Sequence, residues 1–200
     1  FSSALKSYEK ALQCADNEKL VDNSKLEIAS VLALQDRDNE QGNRFKAKKL
    51  YRTLTQSKNV ETKVASLTSL GYLNIQDGEQ QKGLTQLNQA LKLAEKSQLK
   101  RNVRHICQAL GVAYIDTNIK KATHFLERAD RLRQETSPKF GDQDIDGNYF
   151  LFEALSNLYN TQKRFEDAVR VSEKCVSIDR KLGLDERLAL SLFHLGKNKC

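Results

Sequence analysis

The sequence has almost no proline and contains neither tryptophan nor methionine. One proline and nine glycines occur in 200 residues, whereas a β fold rich in turns uses both residues often. Leucine, lysine, glutamine, glutamate and alanine are abundant, and all of them favour helices. The composition therefore predicts long helices and argues against a turn-rich β fold.

Long hydrophobic runs are missing as well. No stretch approaches the ~18 uninterrupted apolar residues of a membrane span, and no charged-then-apolar leader opens the sequence. We expect a cytoplasmic protein, or one whose targeting segment lies outside these residues. Cys14, Cys107, Cys175 and Cys200 are too widely spaced for zinc sites or a small disulfide framework, and we expect them to be buried thiols.

A repeated motif is the most informative feature that is present. A leucine followed by a small residue, with a bulky apolar residue three positions before the leucine, occurs three times and begins a fourth time. The small residues are 40, 45 and 40 positions apart, at Gly71, Gly111, Ser156 and Gly196. A period of this size is typical of solenoids made of stacked helices.

A second pattern follows each copy of the motif after a turn. It places small and bulky residues four and then three positions apart, as in Ala122, Leu126 and Ala129. Each repeat therefore has a first helix, which carries the leucine and the small residue, and a second helix. The resulting map has ten helices, over residues 1–15, 22–38, 43–57, 60–76, 80–97, 100–116, 118–135, 147–161, 165–181 and 185–198. A long connection is predicted at 136–147, where Pro138 and Gly141 would end the preceding helix.

The chain resembles the tetratricopeptide repeat family, whose pattern is W-x2-L-G-x2-Y, then A-x3-F, then P. Its most complete copy consists of Cys107, Leu110, Gly111 and Tyr114, followed by Ala122. The terminal proline is absent, and the period of about 40 residues is similar to those of kinesin light chains, Pins-type adaptors and Rap-like regulators.

The resemblance implies an all-α fold, a right-handed α-solenoid of stacked antiparallel helix pairs with about four to five repeats. We expect one domain over residues 1–200. Residues 1–15 read as a second helix without its first, and residues 185–200 read as a first helix without its second. Both ends of the repeat array are thus expected to be truncated, and the domain to be a fragment of a longer protein.

The resemblance also implies a non-enzymatic scaffold or adaptor that binds a peptide or partner segment in a concave groove. The alternative is a sensory domain, in which a peptide ligand switches an attached effector. First helices line the groove in this family, and offsets near −6, −3, +1 and +5 from the small residue select its candidate contacts. They are Thr68, Tyr72, Gln76, His105, Gln108, Asp116, Glu153, Asn157, Thr161 and Lys197.

One loop matches the calcium-binding pattern D-x-[DN]-x-[DN]-G-x5-E. Its oxygen ligands would be Asp142, Asp144, Asp146 and Glu153. The alternative is a solvated acidic loop whose aspartates favour the positive N-terminus of the following helix. We expect no cofactor, and calcium is the one possibility that the sequence leaves open.

Catalysis and nucleic-acid binding have little support in the sequence. The three histidines have no partner at the spacing of a triad, a zinc site or a phosphate loop. The net charge is +7, but acidic residues are interspersed and no aromatic residues alternate with the basic ones, so a solvated surface explains the charge. We expect a protein or peptide partner and no membrane contact. The oligomeric state stays open.

Overall fold

The computed structural model describes residues 2–35, 41–140 and 145–199, and every regular element in these ranges is an α-helix. The helices lie close to the predicted map, except that the second begins at Glu18, four residues before its predicted start, and the seventh ends five residues after its predicted end. None of those described is both long and apolar enough to cross a bilayer. They are α1 (Ser2–Gln13), α2 (Glu18–Gln35), α3 (Gln41–Leu54), α4 (Val60–Gln76), α5 (Gln80–Lys96), α6 (Lys100–Tyr114), α7 (Ile119–Phe140), α8 (Ile145–Thr161), α9 (Phe165–Leu182) and α10 (Asp185–Lys199).

The chain forms two compact units, Phe1–Asn102 and Val103–Cys200. In the first unit, α1 packs on α2, α2 on α3, α3 on α4 and α4 on α5; in the second, α7 packs on α8, α8 on α9 and α9 on α10. Helices adjacent in sequence are thus adjacent in space, which is the arrangement of a helical repeat. The all-α repeat fold is confirmed, and the assignment of residues 1–200 to one domain stays a prediction.

Three of the four small residues of the motif lie where the two helices of a pair approach each other. A Cβ atom added to Gly71 would stand 3.0 Å from the carbonyl oxygen of Gly83 on α5, and one on Gly111 would stand 2.5 Å from a side chain of α7. Between α8 and α9, the hydroxyl groups of Ser156 and Ser172 are hydrogen-bonded at 2.9 Å. The predicted packing role is confirmed for Gly71, Gly111 and Ser156, whereas a Cβ atom added to Gly196 on α10 would have no atom within 4 Å.

Short turns join the two helices of a pair. The middle residue of two such turns has a left-handed conformation: φ is 82° at Gly78, between α4 and α5, and 58° at Lys163, between α8 and α9. Gln98, with φ of 55°, plays the same part between α5 and the first helix of the next repeat, α6. The reversal over so few residues makes the joined helices antiparallel neighbours. Because first helices alternate with second helices, two first helices lie side by side in each unit: α2 contacts α4, and Arg104 of α6 bonds Asn148 of α8.

A buried polar network joins the last three helices. Asp179 on α9 is fully buried and accepts hydrogen bonds from Arg187 Nε at 2.5 Å and Ser191 Oγ at 2.7 Å, both on α10. The Arg187 guanidinium lies 4.1 Å from the ring centroid of Tyr149 on α8. The charge of Asp179 is therefore compensated inside the fold, as a buried carboxylate requires.

Helix α7 is longer than the sequence predicts. It continues through Pro138 to Phe140, so the prediction that Pro138 ends the helix is wrong. Proline removes one backbone donor and crowds the carbonyl group four residues before it, but its own φ of about −65° is helical, and only two residues of α7 follow Pro138. Gly141 lies outside the described residues, and α8 already begins at Ile145, so the connection is shorter than the predicted 136–147.

The cysteines are only partly as predicted. Cys107 and Cys175 are buried, and neither is in a disulfide, whereas Cys14 is exposed near the end of α1. The expectation of a buried thiol is therefore wrong for Cys14. Its position follows a short amphipathic helix, and the apolar side of that helix is already occupied by Leu5, Tyr8 and Leu12 packed against α2 and α3. Cys200 lies outside the described residues.

Candidate functional site

In the first unit, three candidate residues lie along one side of α4. Thr68, Tyr72 and Gln76 are spaced four residues apart, so their side chains project from the same side of the helix. The Tyr72 side chain is 43% exposed, and Gln76 is exposed as well. Thr68 is half-buried, and its hydroxyl donates to the backbone oxygen of Val64 at 2.8 Å. Tyr72 and Gln76 are therefore the more accessible contacts.

In the second unit, α8 presents the most open set of candidates. Asn157 and Thr161 are exposed and one turn apart, and the Thr161 hydroxyl donates to the Asn157 backbone oxygen at 2.9 Å. Phe150 lies two turns before Asn157 on the same side and is 50% exposed. These three residues form what we call the α8 surface. It offers an apolar ring at one end, and an amide and a hydroxyl group at the other.

Glu153 lies at the edge of this surface. Its side chain is half-buried, and its negative charge is near enough to the buried thiol of Cys175 to affect the pKa of that group. Burial, together with the charges of Glu153 and Asp179, raises the pKa of the Cys175 thiol to about 12. Glu153 therefore lies near the border between α8 and α9, and it is less open to a partner than Asn157.

The α6 candidates are less uniform. His105 and Gln108 are half-buried on the helix, but Asp116 lies in the turn after it, because α6 ends at Tyr114. His105 Nε2 is 3.2 Å from a guanidinium nitrogen of Arg104. His105 therefore lies beside the cation of Arg104. Some of the polar groups of α6 thus already interact with other residues of the fold.

The remaining candidate, Lys197, is in α10, and its side chain lies outside those that are described.

The structure adds apolar residues that the sequence selection had left out. Val112 is 44% exposed at offset +1 of α6, Phe150 lies at offset −6 of α8, and Phe193 is exposed at offset −3 of α10. The four offsets also select these positions, but the predicted contacts include only the polar and aromatic-hydroxyl residues among those selected. The exposed side of the first helices is therefore more apolar than the sequence interpretation held.

The calcium pattern falls on residues that are only half described. Asp142 and Asp144 lie outside the described residues, whereas Asp146 and Glu153 both belong to α8. These two residues are seven positions apart in the helix, a rise of about 10 Å along the axis, while the motif requires residues 142–153 to wrap around one ion. Within the described ranges no group of three His, Cys, Asp or Glu side chains is placed to hold a metal ion. The helix at 145–153 argues against the calcium hypothesis, which stays a prediction.

Comparisons with known proteins agree with this architecture. Residues 151–182, which comprise most of α8 and all of α9, match the model of the tetratricopeptide repeat family. Among solved structures, the chain is similar to BtubC (BKLC) from P. vanneervenii, with a TM-score of 0.75 and 20% sequence identity over 98% of this chain and 80% of that one. No curated protein sequence gives a significant match.

Proposed function

From a tetratricopeptide-like repeat fold, in which residues 151–182 match the family model, we propose that this protein is an interaction module, a scaffold or adaptor. It binds a peptide or an extended partner segment on the exposed sides of its first helices. Tetratricopeptide repeats generally mediate protein–protein interaction and are typically non-catalytic, and we assign no reaction to this chain. The proposal includes a cytoplasmic location, which agrees with Cys14, Cys107 and Cys175 being outside any disulfide.

Large side chains are exposed on the same side of several first helices, and this observation supports the proposal most directly. Packing within and between helix pairs is already provided by buried residues such as Leu110 and Leu155. Tyr72, Val112 and Phe150 contribute little to that packing, yet each is large and 43–50% exposed. Within either unit, a partner that covered such a side chain would gain apolar burial, and nearby amide and hydroxyl groups would supply hydrogen bonds.

The test uses peptides selected from a display library of random 12-residue segments against the intact chain. Binding of the selected peptides is then compared for Phe150→Ala/Asn157→Ala and for Phe165→Ala. Phe165 is a suitable control because its exposed fraction, 54%, is similar to that of Phe150. It differs from Phe150 in that it begins a second helix, α9. We expect the double variant to raise Kd at least tenfold and the control to change it less than twofold, a difference of more than ~1 kcal/mol.

Circular dichroism and urea unfolding establish that both variants are folded. The proposal is overturned if Phe165→Ala weakens binding while the double variant does not, since the peptides would then bind second helices. If a selected peptide changes the rate at which a protease cleaves the chain at sites far from α8, the sensory alternative is favoured over the scaffold.

A further inference from the structure

The positive charge of the first unit is concentrated on its second helices. Helix α3 has five Lys or Arg residues and no Asp or Glu; α1 has two basic residues and one acidic, and α5 has three and one. The two first helices that lie wholly in this unit are close to neutral, since α2 has two basic and three acidic residues and α4 has one of each. Three acidic residues precede α3 in the sequence, outside the described ranges, so these numbers refer to the helices themselves.

Two of the five basic residues of α3 are engaged within the fold. Arg44 Nε is 2.6 Å and Lys48 Nζ is 2.5 Å from the carboxylate of Asp77, in the turn between α4 and α5. Lys48 is buried, with a second carboxylate, that of Glu79, at 3.5 Å. These two cations attach α3 to the next repeat and are not available to a partner.

The other three basic residues point away from the fold. Lys46, Lys49 and Arg52 are exposed, and within the described part of the chain none of them forms an ion pair. Phe45, 67% exposed, stands four residues before Lys49 and seven before Arg52, so the three side chains share one side of the helix. We call Phe45, Lys46, Lys49 and Arg52 the α3 surface.

We propose that the α3 surface binds an acidic helical segment of a partner protein, independently of the first-helix surface. Carboxylates spaced three or four residues apart on the partner helix would match Lys49 and Arg52, which are about 4.5 Å apart along the axis of α3. An apolar side chain on the partner would pack on the Phe45 ring. Charge complementarity of this kind directs association and selects against basic partners.

Two other anionic partners fit this surface less well. A membrane-surface helix needs a broad apolar side with several large residues, and Phe45 is the one exposed large apolar residue on the described second helices of this unit. Single-stranded nucleic acid is bound by successive aromatic rings on which bases stack, and this surface offers one ring. An acidic peptide needs one apolar contact and a few cations, which the surface has.

The experiment measures fluorescence anisotropy of a labelled 18-residue helical peptide made of Glu and Ala with one central Leu, titrated with the intact chain at low salt. The test variant is Lys46→Glu/Lys49→Glu/Arg52→Glu. The matched control is Lys120→Glu/Lys163→Glu/Lys181→Glu, which makes the same change of net charge at exposed positions of the second unit. We expect Kd to rise at least tenfold in the test variant and less than threefold in the control, and Phe45→Ala to raise Kd about fivefold.

Equal weakening by both triple variants would overturn the proposal, because binding would then follow net charge and not this surface. An absence of measurable binding to the peptide would overturn it too. Phosphatidylserine vesicles and a DNA duplex are titrated in parallel. If either binds more tightly than the peptide and loses binding in the test variant, the partner class proposed here is wrong. Peptides from the display selection should keep their affinity for the test variant, which separates this surface from the first-helix one.

Discussion

Two helical glycines differ in what a methyl group would meet. A Cβ atom on Gly83 would stand 2.5 Å from the carbonyl oxygen of Gly71 and 2.5 Å from Cγ1 of Ile75, whereas one on Gly42 has no atom within 4 Å. Alanine is the better helix former by about 1 kcal/mol. At Gly42 that preference acts alone, and at Gly83 it is opposed by a clash with backbone that cannot rotate away.

We expect Gly83→Ala to lower the free energy of unfolding by about 1–3 kcal/mol, the range for an overpacked interior. Gly42→Ala is the matched control and should raise it by up to about 1 kcal/mol. Urea unfolding followed by circular dichroism measures both changes. Equal stabilisation by the two substitutions would contradict the close approach of α4 and α5.

The cysteines should differ in reactivity. Burial, with the nearby charges of Glu153 and Asp179, raises the pKa of Cys175 to about 12, and the thiolate is the form that reacts with alkylating agents. At pH 8 we expect iodoacetamide to label the exposed Cys14 and to leave Cys175 unmodified until the protein is unfolded in urea. Peptide mass spectrometry quantifies the labelling at each position. Similar labelling of the two thiols in the native protein would count against the packing of α9 on α8.

At the residue scale, packing positions were more predictable than contact positions. The leucine and small residue of each motif must fill a fixed gap between two helices, so their identity restricts the fold directly. An exposed Phe150 or Val112 has the same sequence signature as a core residue, because periodicity shows which side of a helix is apolar but not which neighbour covers it. For this reason the sequence selection kept Asn157 and omitted Phe150.

At the scale of elements, the turn between α4 and α5 contributes a carboxylate that holds a neighbouring helix. Partial burial raises the pKa of Asp77, but the hydrogen bonds from Lys48 and Arg44 outweigh this effect, and the resulting pKa lies below the ordinary value of 3.8. A carboxyl group whose pKa is lower in the folded state stabilises the fold above its unfolded-state pKa. That stabilisation is lost as the pH falls through the folded-state pKa.

We expect Asp77→Asn to lower the free energy of unfolding at pH 7 by roughly 1 kcal/mol, because the ion pairs are partly exposed and screened by solvent. The difference between the parent and the variant should shrink as the pH falls below about 4. Urea unfolding at pH 7 and pH 3 measures it. Asp116→Asn is the control, since Asp116 is exposed in a turn and should have little effect at either pH. A constant deficit of Asp77→Asn at both pH values would show that its charge is irrelevant.

The existence of the helices was predicted better than their ends. Nine of the ten predicted helices correspond closely to those described, because each has a buried side with helical spacing. The tenth, α7, was predicted to stop near Pro138, and the structure shows that a proline close to a C-terminus does not stop it. Residues 145–147, predicted to belong to the connection, form the first turn of α8.

At the scale of the whole molecule, stability should depend on contacts between neighbouring helices in each unit. Leu155 on α8 is 1% exposed, and in a repeat protein each pair supports mainly the next. We expect Leu155→Ala to lower the free energy of unfolding by about 2–5 kcal/mol and to increase amide hydrogen exchange in α7, α8 and α9 far more than in α1 to α3. Exchange followed by mass spectrometry measures this distribution.

The control for that substitution is Leu192→Ala on α10, because the Leu192 side chain is 42% exposed and its removal should change stability by less than about 0.5 kcal/mol. An exchange increase spread evenly along the chain in Leu155→Ala would mean that the protein unfolds as one cooperative body.

The short turns between paired helices affect how quickly the chain folds. Only three residues separate α4 from α5 and α8 from α9, and two separate α9 from α10, so the packed partners are close along the chain. The entropy of loop closure grows with loop length, and proteins of low contact order fold in microseconds to milliseconds. Folding can therefore start at any helix pair and spread to its neighbours without waiting for distant segments to meet.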